Sequence, residues 1–177
     1  MVTGINIPNL PSMELREPKM PSTYEPIQTN TLGSTTTSVT FSSIPSTYTD
    51  LIIVFSGTSN ALDSLNIRFN GDTSALYSRI IISGNGSTTV SDREVSQGSS
   101  GIGLTSTTQS DTTFQVFNYS NTTTYKTILS RANVSASLVR GCAGVYRSTS
   151  AITSVTLFSS STLNIGSTFT LYGIKAA

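Results

Sequence analysis

From residue 34 onward the sequence is written in steps of two. Short runs in which apolar and polar residues alternate are separated by clusters of Gly, Asn, Ser and Thr, and no stretch keeps apolar residues at helical spacing. Sixty of the 177 residues are Ser or Thr, and only 11% are charged. Threonine's β-branched side chain suits a pleated, half-buried surface. A chain built this way hides its apolar side chains on one face of strands, which predicts an all-β fold.

The runs fall at residues 35–41, 51–55, 65–69, 75–82, 112–119, 124–132, 138–146, 152–158 and 168–175, giving nine or ten strands. Val39 and Phe41 share a face in the first, Phe169 and Leu171 in the last. Leu51-Ile52-Ile53-Val54-Phe55 is apolar throughout and reads as a central strand covered on both sides. Asn70-Gly71 reads as a tight turn, because both residues tolerate positive φ. A second pair, Asn85-Gly86, opens residues 87–100, a polar stretch that reads as a surface loop with at most one short strand. Antiparallel strands in this number predict a two-sheet sandwich, with a jelly roll as first choice and an immunoglobulin-like sandwich second. No motif recurs at a fixed period, so a repeat solenoid is rejected.

Proline divides the chain. Five of the six prolines (Pro8, Pro11, Pro18, Pro21 and Pro26) lie in the first 26 residues. Each fixes its own φ and pushes the preceding residue toward extended geometry, so this segment is neither a regular helix nor a central strand. Residues 1–30 are therefore read as an extended arm and 31–177 as the β-sandwich domain. The arm is no polar linker: Ile5, Ile7, Leu10, Met13, Leu15 and Met20 stand between its prolines and need a surface to dock on. Folding back on its own domain and reaching onto another subunit are both open, the second being favoured.

Composition removes several chemistries. The chain has no His, no Trp and one Cys. A His-dependent triad, most metal sites and any disulfide within the chain are excluded, and no cofactor or metal site is expected. Asp63 with Asp72, and Asp92 with Glu94, are the only acid pairs worth weighing for hydrolysis, and they read better as solvated. Asn70, Asp72 and Asp92 form no dense calcium loop. The glycine-rich stretch from Gly98 to Gly103 lacks the strand-to-helix setting of a phosphate cradle. Cys142, in a strand-like run, reads as a small buried hydrophobe rather than a reactive thiol. The chain is expected not to be an enzyme. Tyr77, Tyr119 and Tyr125 are the residues that could stack on a sugar.

Net charge is +1, unlike a protein that grips a phosphate backbone, so no nucleic-acid partner is expected. From residue 112 to the end there are five cations (Lys126, Arg131, Arg140, Arg147 and Lys175) and no acid. They read as scattered charges on exposed strand faces, with a basic face toward an acidic neighbour as the alternative. Residues 1–10 lack a basic start and an apolar run, and no stretch of about 18 apolar residues occurs, so neither a secretory leader nor a membrane partner is expected.

Several segments resemble small virion structural proteins of tailed bacteriophages, particularly those of cyanobacteria and marine bacteria. They are Met20-Pro21-Ser22-Thr23-Tyr24-Glu25-Pro26-Ile27, Leu32-Gly33-Ser34, Ser38-Val39-Thr40-Phe41-Ser42-Ser43-Ile44-Pro45, Tyr48-Thr49-Asp50-Leu51 and Arg68-Phe69-Asn70-Gly71-Asp72. Tyr119, the run from Thr123 to Thr127, and the final run from Gly166 to Lys175 are similar as well. The resemblance spans residues 20–177 and implies a β-sandwich made in the host cytoplasm and carried on the virion. Of the two placements it implies, a head decoration, cement or capsid-fibre protein clipped on through the arm comes first. A short tail-fibre or baseplate component, with a receptor-binding loop within residues 87–110 and a host-surface glycan as partner, comes second. Both imply contacts with other virion proteins and a homo-oligomer, most simply a trimer.

Overall fold

The computed structural model describes residues 23–135 and 137–175, and within them the fold is all-β: twelve antiparallel strands in two sheets. The larger sheet runs, in spatial order, β1 (Tyr24–Thr31), β12 (Thr168–Ile174), β3 (Asp50–Gly57), β8 (Ser110–Val116), β9 (Lys126–Val134), β10 (Leu138–Tyr146), β5 (Tyr77–Gly84) and β6 (Thr89–Gln97). The smaller one runs β2 (Thr36–Phe41), β11 (Val155–Leu163), β4 (Asp63–Phe69) and β7 (Ser100–Thr105).

The order resolves the topology. Hydrogen-bonded pairs nest inside one another along the chain: β5 with β6, β4 with β7, β3 with β8, β2 with β11 and β1 with β12. Successive pairs alternate between the two sheets, so the chain is one long antiparallel ribbon wrapped into a barrel-like sandwich. That is a jelly roll, with the β9–β10 hairpin inserted between β8 and β5.

The core follows the alternation. Phe55 and Phe169 meet with ring centroids 4.9 Å apart on neighbouring strands, while Phe41, Phe69 and Phe114 are wholly buried between the sheets. Each such side chain contributes about 1.5–3 kcal/mol by leaving water. Tyr77 and Tyr146 stack at 4.7 Å beside Phe69, and the Tyr77 hydroxyl accepts the Phe69 amide at 2.9 Å.

Four features differ from the sequence reading. First, β1 begins inside the segment that the prolines marked as arm; Pro26 is tolerated because β1 is an edge strand with a register shift at that point. Second, β3 is central but not covered on both sides: its residues alternate, with Ile52 and Val54 half-buried on the outer face. Third, the stretch 87–100 is mostly strand β6, nine residues long where a loop with at most one short strand was expected, and it leads into β7, which was not expected. β6 is almost entirely exposed, so no alternation marks it. β7 is buried on both sides, so its glycines look like a loop. Fourth, Asn70 and Gly71 adopt φ of 52° and 67° as the turn requires, yet the turn joins strands of different sheets.

Edge strand β7 lies in the gap between the sheets, and the facing sheet caps its backbone. Arg79 of β5 donates to the Gly101 carbonyl, Arg140 of β10 to the Gly103 carbonyl (3.3 Å) and Ser130 of β9 to the Ile102 carbonyl (2.7 Å). The Leu104 amide donates to Thr112 Oγ1 of β8 at 3.2 Å. Glycine is needed for this approach: a Cβ on Gly103 would stand 2.7 Å from the Phe114 ring and 2.9 Å from the Leu65 Cβ. Side chains thus occupy an edge that would otherwise recruit a foreign strand.

Candidate docking surface

The inner face of the wide sheet packs on the small one; among the described residues its outer face has no second layer. Register carries one row of outward residues across seven strands: Ile80, Ala143, Leu129, Gln115, Ile52, Tyr172 and Pro26. The next row holds Ile82, Gly141, Arg131, Thr113, Val54 and Thr170. Exposure of the large apolar members is high, at 52% for Ile80, 59% for Ile82, 45% for Leu129 and 65% for neighbouring Val139. Scattered surface leucines need no explanation, but residues aligned in register form a continuous patch.

Several shallow hollows lie on this face, and two of them border its apolar row. One of about 430 Å³ is bordered by Ile80, Val95, Ala143 and Val145, with Arg93, Glu94 and Arg147 at its margin. The other, about 380 Å³, is bordered by Tyr24, Ile52, Thr113, Gln115, Leu129 and Arg131. Charge on the face is unbalanced toward cations. Asp111 already accepts Ser56 Oγ at 2.7 Å and Gln109 Nε2 at 3.1 Å, while among the described residues Arg93 and Arg131 enter no ion pair.

The other candidate groups are engaged in holding the fold. Burial pulls the Asp63 carboxyl up, but Ser159 Oγ (2.7 Å) and the Ser64 and Ser161 amides (2.7 and 3.0 Å) outweigh it and hold its pKa below the ordinary carboxylate value. Asp72 is lowered by hydrogen bonds from Ser74 and from the Tyr146 hydroxyl, the latter at 2.7 Å. Asp92 and Glu94 both face Arg79, at 4.0 and 2.6 Å. No group of three His, Cys, Asp or Glu side chains able to hold a metal occurs among the described residues. Cys142 is buried, and burial raises its thiol pKa, which suits a packing role. Tyr77 and Tyr119 are wholly buried and cannot stack on a sugar; of the three tyrosines named for that task, only Tyr125 is exposed.

Lys126 is the clearest departure from the sequence reading. Instead of decorating an exposed strand face it is completely buried, with Nζ donating to the carbonyls of Asn121 (2.5 Å), Thr124 (2.8 Å) and Thr149 (3.2 Å). Desolvation lowers its pKa, and three carbonyl dipoles favour the charged form against that pull. It ties the loop before β9 to the loop after β10.

The arm residues Ile5, Ile7, Leu10, Met13, Leu15 and Met20 lie outside the described residues. What is described is their point of attachment. β1 pairs along its length with β12, and Glu25 near its start forms an ion pair with Lys175 at 2.8 Å and accepts the Tyr48 hydroxyl at 3.3 Å. The outer-face patch was not legible as a site, because its members come from seven strands and only register aligns them. No protein-family model matches the chain, and no curated protein matches it in sequence.

Proposed function

We propose that the chain is a structural protein of a tailed-bacteriophage virion, a head decoration, cement or capsid-fibre subunit secured through its N-terminal arm as part of a homo-oligomer, most simply a trimer. The observation that carries this reading is the continuity between an apolar, proline-rich arm and an edge strand bonded along its length into an eight-stranded sheet. A load on the arm passes into the β1–β12 ladder and from there into the core, as a tether requires. A jelly roll is an architecture that viral capsid and lectin domains use, and the sequence resemblance to phage virion proteins points to the first of these.

The test is the copy number of the protein in purified virions, by quantitative mass spectrometry against the major capsid protein. Hundreds of copies are expected. A few to a few tens would move it to the tail and make host-receptor binding the question, and absence would end the virion reading.

A further inference from the structure

We infer that the free edge of β2 is a contact surface for a second copy of this chain, the two β2 strands pairing antiparallel across a two-fold axis. The inference goes beyond the preceding reading and does not depend on where the arm docks.

The two sheets end in four edge strands: β1, β6, β2 and β7. A free edge is a template for another strand, and proteins blunt it with proline, charge, a bulge or a cover. β1 carries Pro26 and a register shift at that residue. β6 carries Asp92, Arg93 and Glu94, and its ladder to β5 slips beside Ser96, which has a φ of 56°. β7 is capped by Arg79, Arg140 and Ser130 from the facing sheet. β2 has none of these devices. Thr36–Phe41 contains neither charge nor proline, and the extra residues in its ladder lie on β11, between Phe158 and Leu163. In an antiparallel edge strand every second residue turns its N–H and C=O away from the ladder. Among the described residues no other element meets those of β2; only the Thr36 hydroxyl, from within the same strand, reaches the Ser38 N–H and C=O, at 3.3 and 3.1 Å. Ser38 is therefore an outward residue, and by alternation Thr40 is the next.

Self-complementarity selects a second copy as the partner. Two-fold antiparallel pairing centred on the strand sets Ser38 and Thr40 against Ser38 or Thr40 on the outer face, and Val39 against Val39 or Thr37 on the inner one. Hydroxyl pairs and β-branched pairs of this kind are favourable across strands, whereas like charges are not. No residue from Gly33 to Ile44 is charged, so no register brings like charges together. The same operation on β6 places Asp92 and Glu94 opposite acids. The contact is isologous and joins copies two at a time, separately from any symmetry the arms set. Six residues a side make a small interface, so the association is expected to be weak and concentration-dependent.

The test is hydrogen exchange on the full-length chain across a concentration series, read beside sedimentation equilibrium. Exchange at Ser38 and Thr40 is expected to slow as concentration rises, in step with dimer formation, while β6 amides stay unchanged. Ser38→Lys and Ser38→Asp each set like charges opposite or diagonal to one another across the axis, and each is expected to weaken association by about three- to tenfold. An equimolar mixture of the two is expected to associate at least as tightly as wild type, since lysine then faces aspartate. The Ser38 side chain is exposed, so both variants are expected to keep the wild-type thermal transition. Should either lose it, Thr40→Lys with Thr40→Asp is the second pair, Thr40 being exposed as well. Ser91→Lys on β6 is the control and is expected to leave association unchanged. A chain that is monomeric at every concentration, an oligomer in which Ser38 and Thr40 exchange as in the monomer, or a lysine and aspartate mixture that associates no better than either variant alone would each overturn the inference. Copy number in virions is independent of these results, so abundant virion protein with an unprotected β2 would sink this inference and leave the preceding reading standing.

Discussion

Replacing Lys126 by Met removes the ammonium while keeping most of the side-chain volume. Three carbonyls, those of Asn121, Thr124 and Thr149, then lose their donor inside a closed junction between two loops. A hydrogen bond from a charged donor contributes about 1.5–3 kcal/mol, so the three together contribute roughly 5–9 kcal/mol gross. Desolvating the ammonium takes back several kcal/mol. The net loss expected for Lys126→Met is about 2–4 kcal/mol, which for a chain of this size lowers Tm by roughly 4–16 °C. Urea unfolding followed by tyrosine fluorescence, with thermal melts beside it, measures both. Thr127→Met is the control, because Thr127 is exposed on the outer face of the same strand and such substitutions usually stay within about 0.5 kcal/mol. If Lys126→Met falls within that same range, the ammonium is not holding the loops and the account of this junction is wrong.

Gly103→Ala is expected to destabilise by about 1–3 kcal/mol through overpacking against Phe114 and Leu65, and an unchanged urea midpoint would show that β7 can shift aside. Arg79→Ala uncaps the Gly101 carbonyl and strands Glu94; faster hydrogen exchange across β7 and aggregation on warming are expected, and undiminished β7 protection would refute the capping role. Burial raises the pKa of Tyr77, Tyr119 and Tyr146, so the folded state keeps protons that the unfolded chain releases above about pH 10. Their stabilising contribution is complete below that pH and is lost as pH rises beyond it; stability that stays level to pH 12 would contradict their burial. Asn70→Ala should cost about 2 kcal/mol and Asn70→Gly less, since glycine keeps the positive φ while both lose the contacts to Ala151 and Thr153; equal losses in a urea titration would leave the backbone strain without weight.

Sequence determined the class of fold because strand periodicity is local. Val39 with Phe41, Phe169 with Leu171, and the Asn70-Gly71 turn each carry their instruction within a few residues, and together they imply an all-β sandwich. The prolines made residues 1–30 read as an arm for the same reason, and over residues 24–30 that reading gives way to strand β1. Tertiary structure decided whatever depends on strands distant in sequence. β1 is a strand only because β12, some 140 residues later, supplies its hydrogen bonds. β7 is buried only because Arg79, Arg140, Ser130 and Thr112 converge on it from four other strands. Lys126 reads as a surface charge until two loops bring three carbonyls to its tip. The outer apolar face exists only through register, since Ile80, Leu129 and Ile52 come together when non-local hydrogen bonds align β5, β9 and β3, and a one-residue slip in any ladder would turn that strand's residues to the opposite face.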